Sequence, residues 1–230
     1  MFDYGEFCPI SLATSVLCER WTLQIVREML LGATRFSEFQ SHMPRISPSL
    51  LKTRLRFLEE QGVLVRKARA GQRGSTYHLT PKGRALEPVL SELGKWGMYW
   101  VHDRITDEAL NATTLMRDIS AGVKVEELPS GNSLIQVNLD GLPDFPRQYI
   151  RVCEGTVELC EVDTGHEVDV YITASLKTLT RIWYGDLALS RARESGDLKV
   201  VGHPEYVRCL SRWFGISGYA NHNRNFIGKA

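Results

Sequence analysis

The chain has 230 residues, of which 43% are hydrophobic and 24% are charged. This is too apolar for a disordered or low-complexity chain, and the length suits one large or two small domains. No apolar run approaches the roughly 18 residues of a membrane-spanning helix, and no secretory signal is visible. The five cysteines lack a Cys-x-x-Cys pair. These features predict a reduced, cytoplasmic protein without membrane attachment.

The charge is divided unevenly along the chain. Residues 1–104 hold 15 Lys and Arg against 10 Asp and Glu, whereas residues 105–230 hold 13 against 17. The excess is steepest over residues 35–84, where 11 basic residues face three acidic ones. Such an excess favours a polyanionic partner, such as nucleic acid, for the first half of the chain. A solvated basic surface is the plain alternative.

Helical spacing of apolar residues predicts three helices near the start of the chain. The first follows Cys8-Pro9, the second covers residues 21–31 and stops at Gly32, and the third is short and contains Phe36 and Phe39.

The fourth predicted helix has the clearest signals. Ser47 suits its N-cap, Pro48 its first position and Gly62 its terminator. One face is apolar, whereas the outward face offers groups that can reach phosphates and base edges, as an ordinary solvated face also would. The apolar face comprises Leu51, Leu55 and Leu58, and the outward face comprises Ser49, Lys52, Thr53 and Arg56.

A basic hairpin is predicted next. Residues 64–70 form a strand that contains Arg69, residues 75–79 form a second strand, and Arg73 lies at the turn between them. Thr80 and Pro81 then open another helix. Helix, turn, helix and hairpin in this order predict a winged helix-turn-helix, in which one helix enters the major groove and the hairpin touches the flanking backbone.

The motifs of this half resemble the HxlR-type winged helix-turn-helix regulators, relatives of the MarR family. The resemblance covers about residues 6–102 and implies a dimeric regulator that binds double-stranded DNA. It rests on Cys8-Pro9, Arg20-Trp21-Thr22-Leu23, Arg35-Phe36-Ser37-Glu38, Ile46-Ser47-Pro48, Leu51, Arg54-Leu55, Leu58-Glu59, Gly62 and Tyr77-His78-Leu79-Thr80-Pro81-Lys82-Gly83. The residues predicted to contact DNA are Arg35, Ser47, Ser49, Lys52, Thr53, Arg56, Arg69 and Arg73.

Two features depart from that family's pattern. The wing is short, and Phe57 stands where a charged residue is usual. Leu50 and Phe57 form a second apolar flank of the fourth helix. That flank fits contact with a neighbouring helix, and equally fits docking against the second domain or a partner subunit.

A fifth helix is predicted over residues 84–103, with a broad apolar stripe. The resemblance implies that such helices pair across a two-fold axis. Leu93, Trp96 and Trp100 are therefore the predicted homodimer interface, and burial within one subunit is the alternative.

The acidic half begins with a predicted connecting helix over residues 105–120 and then alternates strands with helices. Glu154-Gly155 is a candidate two-residue hairpin turn that places Arg151 opposite Glu158. A polar tail is predicted over residues 217–230. The remaining predicted strands cover residues 123–125, 134–139, 148–153, 156–162, 167–173 and 198–201, and the helices cover residues 176–183 and 187–194 and begin again at Pro204.

Residues 120–216 resemble the sterol-carrier-protein-type domains. The motifs are Asp169-Val170-Tyr171-Ile172, a series with Gly185-Asp186, and Gly196-Asp197-Leu198-Lys199-Val200-Val201-Gly202. The resemblance implies a sheet covered by helices around an apolar tunnel for a lipid-like molecule. The candidate effector-binding residues, each of which also fits ordinary core, are Leu179, Ile182, Trp183, Trp213 and Phe214.

No nucleotide-binding loop, metal-ligand pair or catalytic set is visible, so we expect no cofactor, no metal and no enzymatic activity. Cys8 is weighed separately, because a helix N-terminus lowers a thiol pKa. The resemblance adds that some HxlR-type regulators use a cysteine there as a thiol switch. An inert packing role for Cys8 is the alternative.

The sequence thus predicts an α+β protein with a winged helix-turn-helix over residues 1–104, a connecting helix, a sterol-carrier-like domain over residues 121–216 and a tail. The favoured function is a homodimeric, sequence-specific transcriptional regulator that responds to a small apolar effector. The alternatives are a thiol-based sensor that uses Cys8, and a lipid carrier or enzyme with a vestigial winged helix.

Overall fold

A computed structural model describes residues 7–68, 74–101, 106–145, 147–162 and 165–220. The chain forms two compact units, Met1–Gly94 and Lys95–Ala230. The mixture of helices and sheet confirms the predicted α+β class.

The first unit begins with four helices, close to the predicted bounds. Its core contains Ile25, Phe39 and the three leucines of the predicted apolar face, all of which are buried. The helices are α1 (Pro9–Leu17), α2 (Thr22–Leu30), α3 (Phe36–His42) and α4 (Pro48–Glu60).

The N-cap prediction for α4 is confirmed. The Ser47 side chain accepts a hydrogen bond from the Leu50 backbone N–H over 3.3 Å, and Pro48 occupies the first turn. These two residues satisfy or remove backbone donors that would otherwise lack partners.

A hairpin follows α4, with β1 (Leu64–Ala68) and β2 (Ser75–Leu79) antiparallel and Leu64 opposite Leu79. The predicted strand over residues 64–70 is therefore described only to Ala68.

The helix predicted to open at Thr80 and Pro81 is present but short, and the helix predicted over residues 84–103 begins later, at Glu87. The structure has α5 (Pro81–Arg84), capped by Thr80, and then α6 (Glu87–Trp100). Pro88 explains the interruption, because proline has no N–H to donate to the Arg84 carbonyl and its ring would clash with that carbonyl.

The second unit contains a five-stranded sheet in the order β5-β4-β3-β6-β7. β3 and β6 are parallel, and the other neighbours are antiparallel. The strands are β3 (Ser133–Asp140), β4 (Gln148–Cys153), β5 (Thr156–Cys160), β6 (Val170–Ser175) and β7 (Leu198–Gly202).

The predicted hairpin turn between β4 and β5 is confirmed. Glu154 and Gly155 have φ values of 49° and 80°, which suit a tight turn between right-twisted strands. Arg151 lies opposite Glu158, and their side chains form an ion pair over 2.7 Å.

The helices of this unit are α7 (Ala112–Ala121), α8 (Leu176–Trp183), α9 (Leu189–Glu194), α10 (Pro204–Arg208) and α11 (Leu210–Trp213). The single helix predicted from Pro204 is two helices. The Trp213 indole N–H donates to the Tyr206 carbonyl over 3.0 Å. In a continuous helix that carbonyl would accept from Leu210, so the tryptophan takes the place of a helical bond.

Other elements of this unit also differ from the prediction. Residues 107–109 form a 3-10 turn, and α7 begins only after Asn111, whose side chain accepts from the Thr114 N–H. The strand predicted over residues 123–125 is absent. There the Lys124 N–H donates to the Trp213 carbonyl, and a 3-10 turn follows at Val125–Glu127, so no neighbouring strand is paired. β6 begins at Val170, three residues later than predicted.

Helices cover one face of the sheet, and the core between them is continuous. It contains Ile135, Ile150 and Ile172 from the strands and Leu179 and Trp213 from the helices. Ser217 and Ala220 are also buried, although the composition predicts a polar tail from residue 217. Residues 221–230 lie outside the described residues. In the described parts of the chain, no helix has the length and apolar character needed to cross a membrane.

Candidate nucleic-acid interface

The outward face of α4 is polar and exposed, as its periodicity predicts. Ser49, Lys52, Thr53 and Arg56 are all exposed, and the Arg56 side chain retains 72% of its accessible area. Arg56 approaches Glu60 to 3.7 Å, one turn further along the helix. A pair this exposed is weak, so the guanidinium remains available to a stronger anion.

The hydroxyl groups on this face present oxygen lone pairs to solvent. Thr53 Oγ1 donates to the Ser49 carbonyl over 3.0 Å, which uses its only hydrogen within the helix. Ser47 Oγ lies 3.2 Å from Ser49 Oγ at the start of the helix. A threonine whose proton is used in this way can accept from a base amino group but cannot donate to a phosphate.

Arg35 lies beside the hairpin, at the entrance to α3. Its backbone forms a bridge with Thr76 of β2, and the Tyr77 N–H donates to the Thr34 carbonyl over 2.8 Å. The Arg35 side chain is 55% exposed. The backbone of Arg35 is therefore fixed while its guanidinium remains accessible.

Glu38 caps the start of α3. Its carboxylate accepts from the Thr34 and Arg35 backbone N–H groups over 2.7 and 2.9 Å. Burial, the largest single effect, pushes the pKa of Glu38 upward. The two hydrogen bonds, with the charges of Arg35 and His42, outweigh burial and lower the pKa below its ordinary value.

The hairpin carries exposed cations on its first strand. Arg66 and Lys67 are exposed, and Arg66 Nε donates to Ser75 Oγ over 2.9 Å. Arg69 and Arg73, the two predicted contacts of the wing, lie outside the described residues.

Cys8 is exposed immediately before α1. The backbone of Ser11 and Ile10, at the start of α1, lowers the pKa of the Cys8 thiol because it stabilises the thiolate. All the cysteines of the described residues are free thiols.

Among the described helices, α1 and α6 expose large apolar side chains. On α6, Leu93, Trp96 and Trp100 are 47%, 56% and 60% exposed. No residue of α1 is buried, and Ile10 and Leu12 are more than half exposed. Leu12 recurs with Val16 and Leu17 at helical spacing, yet this spacing does not lead to burial in α1.

The five candidate effector residues have different surroundings. Leu179, Ile182, Trp213 and Phe214 are buried in the core of the second unit, with exposed fractions from 0% to 5%. Trp183 is partly buried and packs over Gly122, where a Cβ atom would lie 2.8 Å from the indole ring. The structure therefore brings four of these residues together as packing and leaves Trp183 beside open space.

That open space is a cleft of about 210 Å³ between α7 and α8. A smaller cleft of about 80 Å³ shares Leu110, Thr180 and Tyr184 with it. The lining of the larger cleft mixes apolar Leu110, Leu115 and Trp183 with polar Asn111, Thr114 and Asp118. Lys177 and Arg181 line the smaller cleft. Lys177 forms an ion pair with Asp107 over 2.9 Å. Within the described residues, no cluster of three or more His, Cys, Asp or Glu side chains could hold a metal ion.

Comparison with known proteins matches the first unit to a regulator family. The description "HxlR-like helix-turn-helix" fits residues 16–105. The uncharacterized HTH-type transcriptional regulator YvaP of Bacillus subtilis is 38% identical over 107 residues, which cover 46% of this chain and 99% of YvaP. The chain belongs to the HxlR-like helix-turn-helix family. It is therefore a helix-turn-helix transcriptional regulator, as its motifs predict.

The chain is also similar to two other regulators. The HTH-type transcriptional regulator YodB of Bacillus subtilis is 34% identical over 40% of this chain and 84% of its own. The solved structure of the redox regulator HypR in its reduced form is 32% identical, covers 39% of this chain and 90% of that chain, and has a TM-score of 0.37.

The second unit matches a different family. Residues 113–215 fit the SCP-2 sterol transfer family. This match confirms the predicted sheet-and-helix domain, and the chain joins it to an HxlR-like domain.

Proposed function

We propose that this HxlR-like protein is a homodimeric, sequence-specific DNA-binding regulator whose second unit binds a small apolar effector. The observation that carries the proposal is the outward face of α4, on which exposed hydroxyl and cationic groups lie over three fully buried leucines. A helix fixed in this way can enter the major groove with its polar side chains directed at base edges.

The proposed contacts divide into two kinds. Ser49, Thr53 and Arg56 of α4 read base edges, whereas Arg35, Lys52, Arg69 and Arg73 contact phosphates, and Ser47 supports the N-terminus of the helix. Phosphate contacts give affinity without sequence preference, so the two groups have different measurable signatures.

The dimer is supported by the apolar stripe of α6. Two half-exposed tryptophans and Leu93 on one helix form a patch that a monomer rarely leaves in water. Pairing across a two-fold axis would cover this patch and present two copies of α4 to an inverted repeat.

The effector site that we propose is the cleft beside Trp183. The four other candidates are packed in the core, whereas Trp183 borders this cleft. A volume of about 210 Å³ lies below the roughly 300 Å³ of common ligand pockets. The cleft therefore suits a compact apolar or aromatic molecule better than a long acyl chain.

Selection from a random duplex library tests the proposed function. The wild-type protein should enrich an inverted repeat with half-sites about one helical turn, or a multiple, apart. The log affinity for the selected duplex should fall linearly with log salt, by about 0.9 per phosphate neutralised. Selection of no common sequence would contradict the proposal.

The effector part has its own test. A saturating compact aromatic ligand, at a hundredfold excess over its dissociation constant, should stabilise the protein by about 2.7 kcal/mol and change its operator affinity. Trp183→Ala should abolish both responses and leave ligand-free DNA binding unchanged. If indole, naphthalene and decanoate all fail to shift melting, the effector role of the second unit is wrong.

A second candidate function is thiol sensing at Cys8. The exposed position of Cys8 and the lowered pKa of its thiol favour this role. Under this alternative, Cys8→Ser abolishes the response of DNA binding to oxidants. Under the favoured function, Cys8→Ser changes neither the effector response nor DNA binding.

A further inference from the structure

One arginine of α4 does not belong to its exposed face. Arg54 follows Thr53 directly, but its side chain is only 17% exposed. Its Nη2 atom lies 2.6 Å from Glu19 Oε2, and its Nε atom donates to the Arg20 carbonyl over 3.0 Å. Both partners lie in the connection between α1 and α2, more than 30 residues earlier in the chain.

The connection that Arg54 contacts has a defined conformation of its own. Trp21 has a φ of 76°, a left-handed value that a bulky residue adopts only when its surroundings require it. The Trp21 ring packs against the core of the first unit, and the Arg20 guanidinium lies 5.3 Å above its centroid. The Arg20 carbonyl and the Glu19 carboxylate are therefore presented to Arg54 at fixed positions.

Two acceptors at fixed positions limit the rotation of α4 about its axis. The guanidinium is planar, so Nε and Nη2 reach both acceptors only over a narrow range of helix orientations. A rotation of about 20° would displace a side-chain tip about 6 Å from the helix axis by about 2 Å. That displacement exceeds the tolerance of a hydrogen bond to a base edge.

We propose that Arg54 is a positioning residue for DNA recognition, which holds α4 in its reading orientation through Glu19 and the Arg20 carbonyl and does not itself contact a phosphate. This inference rests on the proposed function of α4. Arg54 lies within the basic residues 35–84, but this inference gives it a different role from the cations that we propose to contact phosphates.

The slope of affinity against salt distinguishes positioning from contact. Operator and random 30-bp duplexes would be titrated with wild-type protein, Arg54→Gln and Arg73→Ala at several salt concentrations. Arg54→Gln should lower the operator-to-random affinity ratio about tenfold, the scale of a lost hydrogen bond to a charged group, with an unchanged salt slope on the random duplex. Arg73→Ala should reduce that slope by about 0.9 and keep the ratio.

For Glu19→Ala, two explanations predict opposite changes in DNA binding. Removal of a negative charge from a DNA-binding unit should tighten binding if only net charge matters. If Glu19 holds Arg54, the operator-to-random ratio should instead fall about as far as in Arg54→Gln. The double variant should lose little more than either single one, because both changes remove the same interaction.

Arg54→Lys keeps the positive charge but lacks the planar guanidinium, so the operator-to-random affinity ratio should remain as low as in Arg54→Gln. A restored ratio in Arg54→Lys, a reduced salt slope in Arg54→Gln, or an unchanged ratio in Glu19→Ala would each overturn the proposal. Thermal melting is recorded for every variant, and a ratio is compared only at temperatures where the folded fraction is complete.

Hydrogen exchange without DNA keeps the inference separate from the proposed function. Amides of α4 should exchange faster in Arg54→Gln and Glu19→Ala than in wild-type protein, and at the wild-type rate in Arg73→Ala. If the protein selects no operator, the proposed function fails. If the amides of α4 exchange at the wild-type rate in Arg54→Gln, the positioning role of Arg54 is overturned.

Discussion

The side chains that we expected to be functional are exposed in the first unit and mostly buried in the second. On α4, the hydroxyl and cationic groups expected to make contacts are exposed, and the leucines beneath them are buried. In the second unit, four of the five residues expected to line a tunnel are packed in the core. The difference follows from chemistry. A charged group on a helix cannot be buried without a partner, so periodicity places it outward, whereas an apolar group fits a core and a pocket equally well.

The largest expected effect concerns the apolar stripe of α6, whose Leu93, Trp96 and Trp100 side chains are exposed like the cations of α4. Trp100→Glu should give monomers and weaken operator binding by about a hundredfold or more, because one half-site then binds without its neighbour. Native mass spectrometry and gel shifts measure both effects.

Val201→Glu is the matched control for that change. It introduces the same charge at an apolar residue of β7 that is 67% exposed. This variant should remain dimeric. A folded, dimeric Trp100→Glu protein would remove α6 from the interface.

The next effect tests whether the core of the second unit is closely packed around Ile182. Ile182→Ala should lower the free energy of unfolding by about 2–5 kcal/mol, since Ile182 is 1% exposed within the core. Denaturant unfolding measures this loss. Trp183→Ala, at the edge of the cleft, should cost less. A loss below about 1 kcal/mol for Ile182→Ala would indicate an open tunnel at this site.

A smaller effect concerns Cys8. Because the pKa of its thiol is lowered, more thiolate is present near neutral pH, and iodoacetamide should alkylate Cys8 faster than the exposed Cys153. Mass spectrometry of peptides over time measures the two rates. Equal rates would show that the backbone N–H groups of α1 do not activate this thiol.

The smallest effect concerns Glu38. Its folded-state pKa is lowered, so its contribution to stability is present above the unfolded pKa of about 4.3 and is lost as pH falls through the lower folded value. The melting temperature of wild-type protein should therefore exceed that of Glu38→Gln at pH 7, and the difference should shrink below about pH 4. A difference that does not change with pH would contradict the role of the carboxylate charge.

Much of the fold could be predicted where a local signal has a single physical meaning. The Ser47 cap, the Glu154-Gly155 turn and the pairing of Arg151 with Glu158 each depend on neighbouring residues only, and each is confirmed. The order of helix, turn, helix and hairpin also predicted the helix-turn-helix family of the first unit, which the family match confirms.

The errors arose where a distant contact decides the local structure. The helix after Pro204 is interrupted because the Trp213 indole takes the Tyr206 carbonyl, and residues 123–125 form no strand because Lys124 bonds to Trp213. The position of Arg54 also depends on distant contacts. Its partners Glu19 and Arg20 lie 35 and 34 residues earlier in the chain and leave no trace in the local pattern.

The central claim is that the exposed face of α4 reads DNA sequence. Its most direct test is how strongly variants of that face discriminate the operator from a random duplex. The affinity ratio between the selected operator and a random duplex would be measured for wild-type protein, for Arg56→Ala and Thr53→Ala, and for Lys199→Ala, which removes an exposed cation of β7. The ratio should fall by about tenfold in the two α4 variants, the scale of one lost base contact, and remain unchanged in Lys199→Ala. Equal ratios in all four proteins would show that α4 does not read sequence.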